Sequence, residues 1–129
     1  MEERFLIITP TQMVRVAVDE IVYVKADGNY CDLVLINGRK RNMTFQLHYF
    51  EDNLKRLKSA KTFIRVGRSL IVNRDYVQFI DLSGQFIIFG GKHIPKESNE
   101  SRGLNEPIYT VRASREALSQ LKEELESTR

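Results

Sequence analysis

The feature that most limits the fold of this 129-residue chain is the way turn residues cut it into short alternating runs. Apolar residues recur at every second position, the period at which successive side chains point to opposite faces of a strand. "RFLIITP" from Arg4 ends at Pro10, and "QMVRVAV" sets Val14, Val16 and Val18 on one face. After Asp19-Glu20 come "IVYVKA" from Ile21, a turn at Asp27-Gly28-Asn29, and "YCDLVLI". Asn37-Gly38 is the strongest hairpin dipeptide, because a two-residue type I′ turn needs positive φ at both positions. It predicts "RKRNM" running back antiparallel to "YCDLVLI". "TFIRV", "SLIV", "DYVQFIDL", "QFIIF" after Ser83-Gly84, and "IYTVR" supply the remaining strands.

The period changes twice. In "TFQLHYFEDNLKRLK", Leu47, Phe50, Leu54 and Leu57 fall three or four apart, which is one apolar stripe of a helix. The spacing predicts a helix over about 45–58 that seals an edge or face of the sheet, with Thr44 as its N-cap. Lys55, Arg56 and Lys58 gather near its C-terminal end, where cations suit the helix dipole. "SREALSQLKEELES" predicts a C-terminal helix over about 114–127, with Leu118, Leu121 and Leu125 on one side and Ser114 near its start. Between them the polar stretch Lys92–Pro107, "KHIPKESNESRGLNEP", reads as a long surface loop. There is no internal repeat and no linker, so residues 1–129 are expected to form one domain, mainly β with two helices.

Composition narrows the function. With 42% hydrophobic and 29% charged residues the chain is not wholesale disordered. Cys31 is the sole cysteine, which rules out an internal disulfide and fits a reducing cytosol. "MEERFLIITP" has no small-residue cleavage site, and no apolar run approaches the roughly twenty residues of a membrane helix. The expectation is a cytoplasmic protein without a membrane partner. His48 and His93 have no metal-site spacing, Cys31 has no neighbouring ligand, and Asp27-Gly28-Asn29 lacks the further oxygens of a calcium loop. Cys31 in a strand reads as a packing residue before it reads as a nucleophile. No catalysis, cofactor or metal is expected.

The cations are more informative. The net charge is +3, yet Lys61–Arg115 holds nine basic residues against five acidic ones. In "FIRVGRSLIV", Ile64, Val66, Leu70 and Val72 share the core-facing parity, and Arg68 shares it too. Gly67 offers the escape, since glycine permits a backbone bend that throws Arg68 outward. Arg65 has the opposite parity and is exposed without any device, free to pair with an acidic neighbour or to meet an outside anion.

"IVYVKADGNYCDLVLINGRKR", "TFQLHYFEDNL" and "FIRVGRSLIVNRDYVQFI", in this order and spacing, resemble the LytTR DNA-binding domain of bacterial transcription regulators. The family's "F-x-R-x-H-R-S-x-x-V-N" signature is present as Phe63, Arg65, Gly67, Arg68, Ser69, Val72 and Asn73, and its closing "V-S-R" as "VRASREAL" with Ser114 and Arg115. The likeness spans about residues 13–125. Two departures stand out: Gly67 replaces the family's histidine, and Lys92–Pro107 expands a short turn.

The resemblance implies elongated antiparallel sheets whose inter-strand loops enter successive major grooves, acting in a bacterial transcription regulator. Carried over by position, it makes Asn29, Tyr30, Cys31, Arg68, Ser114 and Arg115 candidates for base contact. An arginine fork suits O6 and N7 of guanine. Arg65, Ser69, Asn73, Arg74, Lys92 and Arg112 become candidates for phosphates, which fix register without reading sequence. Gln85 at a hairpin tip is a weaker candidate. About five phosphates would give a log–log salt slope near −4 to −5. The implied partners are double-stranded DNA with repeated sites, a second copy on that DNA, and an upstream receiver domain or kinase system outside this chain. An initiating Met1 favours a stand-alone regulator over an excised effector. The alternative is a non-catalytic β-module whose arginines meet an acidic protein. A sheet-based RNA binder would want exposed aromatics, and Phe79, Phe86 and Phe89 are expected in the core.

Overall fold

The computed structural model describes residues 3–91 and 109–127, so the Lys92–Pro107 loop lies outside the described residues. Every run read as a strand forms one: β1 (Arg4–Ile8), β2 (Met13–Ala17), β3 (Ile21–Asp27), β4 (Tyr30–Leu35), β5 (Lys40–Met43), β6 (Phe63–Val66), β7 (Leu70–Asn73), β8 (Val77–Asp81), β9 (Phe86–Phe89) and β10 (Thr110–Arg112). Helix α1 spans Leu47–Leu54 and α2 spans Arg115–Ser127. All strand pairings are antiparallel. β1 and β2 form a hairpin, β5-β4-β3-β7-β6 a central sheet, and β10-β9-β8 a third sheet.

The central sheet is covered on both faces, which is why its strands carry apolar residues at both parities. On one face Tyr23, Val34, Ile64, Val66, Leu70 and Val72 pack with Ile87, Phe89 and Val111 of the three-stranded sheet and with Leu118 and Leu121 of α2. On the other, Val24, Cys31, Leu33 and Ile71 pack with Phe5 and Ile7 of β1 and with Leu47, Phe50 and Leu54 of α1. Phe50 is fully buried, with ring contacts to Phe5 and Phe45. Helix α1 therefore covers a sheet face, as its stripe predicts.

Several local expectations need correction. Only Gly38 of the Asn37-Gly38 pair has positive φ, so no type I′ turn forms. Gly38 N–H donates to Leu35 O, and Leu35 N–H to Arg39 O. The result is a three-residue loop whose left-handed glycine makes a G1 bulge. Thr44 is not the cap of α1, because its N–H and hydroxyl both donate to Gln12 Oε1, and the helix begins after Gln46. The helix also stops at Leu54, leaving Arg56 and Lys58 beyond its last turn. Phe79 is exposed and stacks on Phe86, rather than lying in the core. Strand β2 ends at Ala17, so Val18 is buried from a 3-10 turn and not from the strand face.

Burial removes Cys31 from any surface role. Its side chain is 0% exposed and burial pushes the thiol up to about 12. The thiolate is the reactive form, so native Cys31 is expected to resist a thiol reagent at pH 8. Labelling should proceed only as fast as the fold opens and become immediate in denaturant. Rapid labelling of the native chain would contradict the placement.

Candidate nucleic-acid interface

Three turns and one helix start come together along one edge of the molecule. The β3–β4 turn is a two-residue hairpin loop closed by Asp27 and Tyr30, with Gly28 at φ +63°. Beside it lies the β6–β7 turn, since Lys25 pairs with Leu70 and Ala26 N–H donates to Ser69 O at 2.7 Å. Next comes the start of α2. A Cβ at Gly67 would lie 3.3 Å from Ala117 Cβ, and Gly67, Arg68, Ser69, Ser114, Glu116 and Gln120 line a shared groove. The β8–β9 turn completes the row, as Ala113 N–H donates to Gln85 O at 3.2 Å. Gln85 has φ +59°, uncommon for a residue other than glycine.

The sequence reason for Arg68's position is the one expected. Gly67 takes φ +63°, the alternation breaks, and Arg68 is exposed between buried Val66 and Leu70. Arg115 opens α2 and is exposed as well. Neither guanidinium pairs with a carboxylate among the described residues. Asn29 is exposed, with Oδ1 accepting a long 3.5 Å bond from Gln46 Nε2, and Tyr30 is 48% exposed. Ser69 is exposed, and so is Arg112, whose Nη1 reaches Gly84 O at 3.5 Å. Ser114 is exposed but structurally engaged, since its Oγ accepts from Ala117 N–H at 3.2 Å and caps α2.

Other candidates leave the edge. Cys31 is enclosed, with no side-chain surface left for an outside ligand. Asn73 is 1% exposed, with Nδ2 donating to Ile21 O and Oδ1 accepting from Asp75 N–H, each at 2.9 Å. It cannot reach a phosphate. Arg74 follows Asn73 at the far end of β7 from the Gly67–Ser69 turn, and its Nη1 lies 3.4 Å from Lys61 O. Arg65 is exposed but committed to Gly67 O, Arg68 O and Glu51 rather than extended to solvent. Lys92 lies outside the described residues.

Sequence reasoning missed Gln46, Glu116 and Gln120. Glu116 and Gln120 are four apart on α2, and that helical spacing was the available signal. Gln46 reaches Asn29 across sixteen intervening residues, and no local pattern announces it. Among the described residues no group of three His, Cys, Asp or Glu side chains is placed to hold a metal ion, and no helix is long and apolar enough to cross a membrane.

Comparison with known proteins gives this edge a context. The LytTr DNA-binding domain family model matches residues 11–108. No curated protein matches the chain. A solved structure described as the LytTr DNA-binding domain of a putative methyl-accepting/DNA response regulator from Bacillus cereus superposes with a TM-score of 0.57. It is 16% identical, with 95% of this chain and 96% of that one covered, a likeness of fold that extends over β10 and α2, beyond the family match. With that match spanning well over half its length, the chain belongs to the LytTR family of DNA-binding domains.

Proposed function

We propose that this chain binds double-stranded DNA sequence-specifically, its inter-strand turns entering successive major grooves from one side, as the DNA-reading part of a bacterial transcription regulator in the cytoplasm. The observation that carries this reading is the row formed by the β3–β4 turn, the Gly67–Ser69 turn and the start of α2, with exposed Asn29, Arg68 and Arg115. Arg68 and Arg115 are the base readers, helped by Asn29 and Tyr30. Ser69 and Arg112 hold phosphates. The whole chain acts as one domain on repeated sites, as a pair of copies, under an upstream receiver or kinase system.

Removing Arg65 and Arg74 from the phosphate set changes the expected electrostatics. Among the described residues the candidate cations left on the edge are Arg68, Arg112 and Arg115, so the log–log salt slope should be near −3 rather than −4 to −5. Selection from random duplex DNA at moderate salt tests the reading. An enriched motif, repeated about one helical turn apart, is the expected result. Absence of any enriched motif would overturn it in favour of an acidic protein partner.

A further inference from the structure

Two of the three hydrogen bonds of the Arg65 side chain go to the β6–β7 turn, and the third goes to α1. Nε donates to Gly67 O at 3.1 Å, Nη2 to Arg68 O at 2.7 Å, and Nη1 to Glu51 Oε1 of α1 at 3.1 Å. We propose that Arg65 is a positioning residue for DNA reading: it grips the Gly67–Ser69 turn by two successive carbonyls and is itself anchored by Glu51. The proposal rests on the DNA reading above and assigns Arg65 a different part in it from a phosphate contact.

The turn needs such a grip. Its first residue is a left-handed glycine, and the bond from Ala26 N–H to Ser69 O tethers only its last residue to the neighbouring strand. A loosely held turn would spread Arg68 over many positions, and a two-pronged contact to a base edge tolerates little spread. Peptide geometry adds a second consequence. There is no cis peptide bond among the described residues, so N–H and C=O of each peptide point in opposite directions. Drawing the Gly67 and Arg68 carbonyls toward Arg65 turns the Arg68 and Ser69 N–H groups away from it. Successive amides presented in this way suit an anionic oxygen.

Charge argues against Arg65 meeting phosphate itself. Glu51 lies within ion-pair distance and compensates the guanidinium locally, so little counterion release would follow from Arg65. The geometry also demands arginine. A planar fork spans two carbonyls and a carboxylate together, whereas the lysine ammonium is a single point of charge.

The test uses the whole chain, with Arg65→Lys compared against wild type on the selected site and on a scrambled duplex. Arg65→Lys should lower the ratio of specific to non-specific affinity about fivefold, on the scale of one or two lost hydrogen bonds, with the salt slope unchanged. The loss should vanish when Arg68 is already alanine, because Arg65 acts through it. Nuclear-spin relaxation of the free protein should show residues 67–69 loosened. Glu51→Gln, which keeps Arg65, should give a weaker version of the same pattern and serves if Arg65 variants fold poorly. Full discrimination in Arg65→Lys, or a salt slope reduced by about 0.9 in Arg65→Gln, would make Arg65 a phosphate contact and overturn the proposal. A turn still rigid in Arg65→Lys overturns the grip alone. No preference between duplexes in wild type overturns the DNA reading, and the purpose of the grip with it.

Discussion

Arg68→Ala is expected to weaken binding to the selected DNA site by about 10- to 100-fold, or roughly 1–3 kcal/mol, while changing affinity for scrambled duplex far less. The expectation follows from how the residue is placed. Left-handed Gly67 takes Arg68 out of the strand alternation, and its guanidinium has no carboxylate partner among the described residues. Removing it therefore leaves no buried group unpaired. The fold should lose no more than about 0.5 kcal/mol, as for other surface substitutions. Arg115→Ala, at the start of α2, should behave likewise, and the two together should abolish most discrimination. Arg74→Ala is the internal control. It lies at the other end of β7 and should bind both duplexes as wild type does. Fluorescence anisotropy on the two duplexes, alongside thermal melting, measures all of this. Equal losses on both duplexes would reassign Arg68 to phosphate.

What the sequence revealed, and what it hid, divides along a physical line. Strand existence is written in alternation, and the parity of Ile64, Val66, Leu70 and Val72 correctly placed them in one core. The outward bend at Gly67 was legible because parity left Arg68 with no other exit. Even the enclosure of Cys31 was available, since it shares parity with buried Leu33 and Leu35. The family resemblance, which marks the neighbourhood of Asn29 rather than each side chain in it, pulled Cys31 toward the surface. Side-chain partners from distant parts of the chain left no such trace. Gln12 claims Thr44 from thirty-two residues away, Glu51 fixes Arg65 from fourteen, and Ile21 O takes Asn73 from fifty-two. Each gives a side chain a partner other than the one its sequence setting suggested. For Asn73, exposure was read from polarity, which periodicity alone does not support.

Asn73 makes that distinction measurable. It is the one buried polar residue among those described, and both ends of its amide are used. Oδ1 accepts from Asp75 N–H and holds the start of the 3-10 turn Arg74–Tyr76, while Nδ2 satisfies Ile21 O on a core strand. That turn in its place buries Tyr76, whose hydroxyl donates to Asp19 O. Asn73→Ala forfeits a cap bond, about 1 kcal/mol, and removes the buried carbonyl's side-chain donor, about 1–3 kcal/mol more. The expected loss of about 2–4 kcal/mol should lower the melting temperature by about 10 °C in a chain of this size. Asn73→Asp separates the two ends, since it keeps the cap acceptor and loses the donor to Ile21 O. DNA affinity, measured well below the melting transition, should stay at the wild-type value in both variants, because the Gly67–Ser69 turn proposed to read DNA is at the opposite end of β7. An unchanged melting temperature with weakened binding to every duplex would restore Asn73 to the phosphate contacts. A lower melting temperature with intact binding fixes it as the joint between the central sheet and the turn that follows β7.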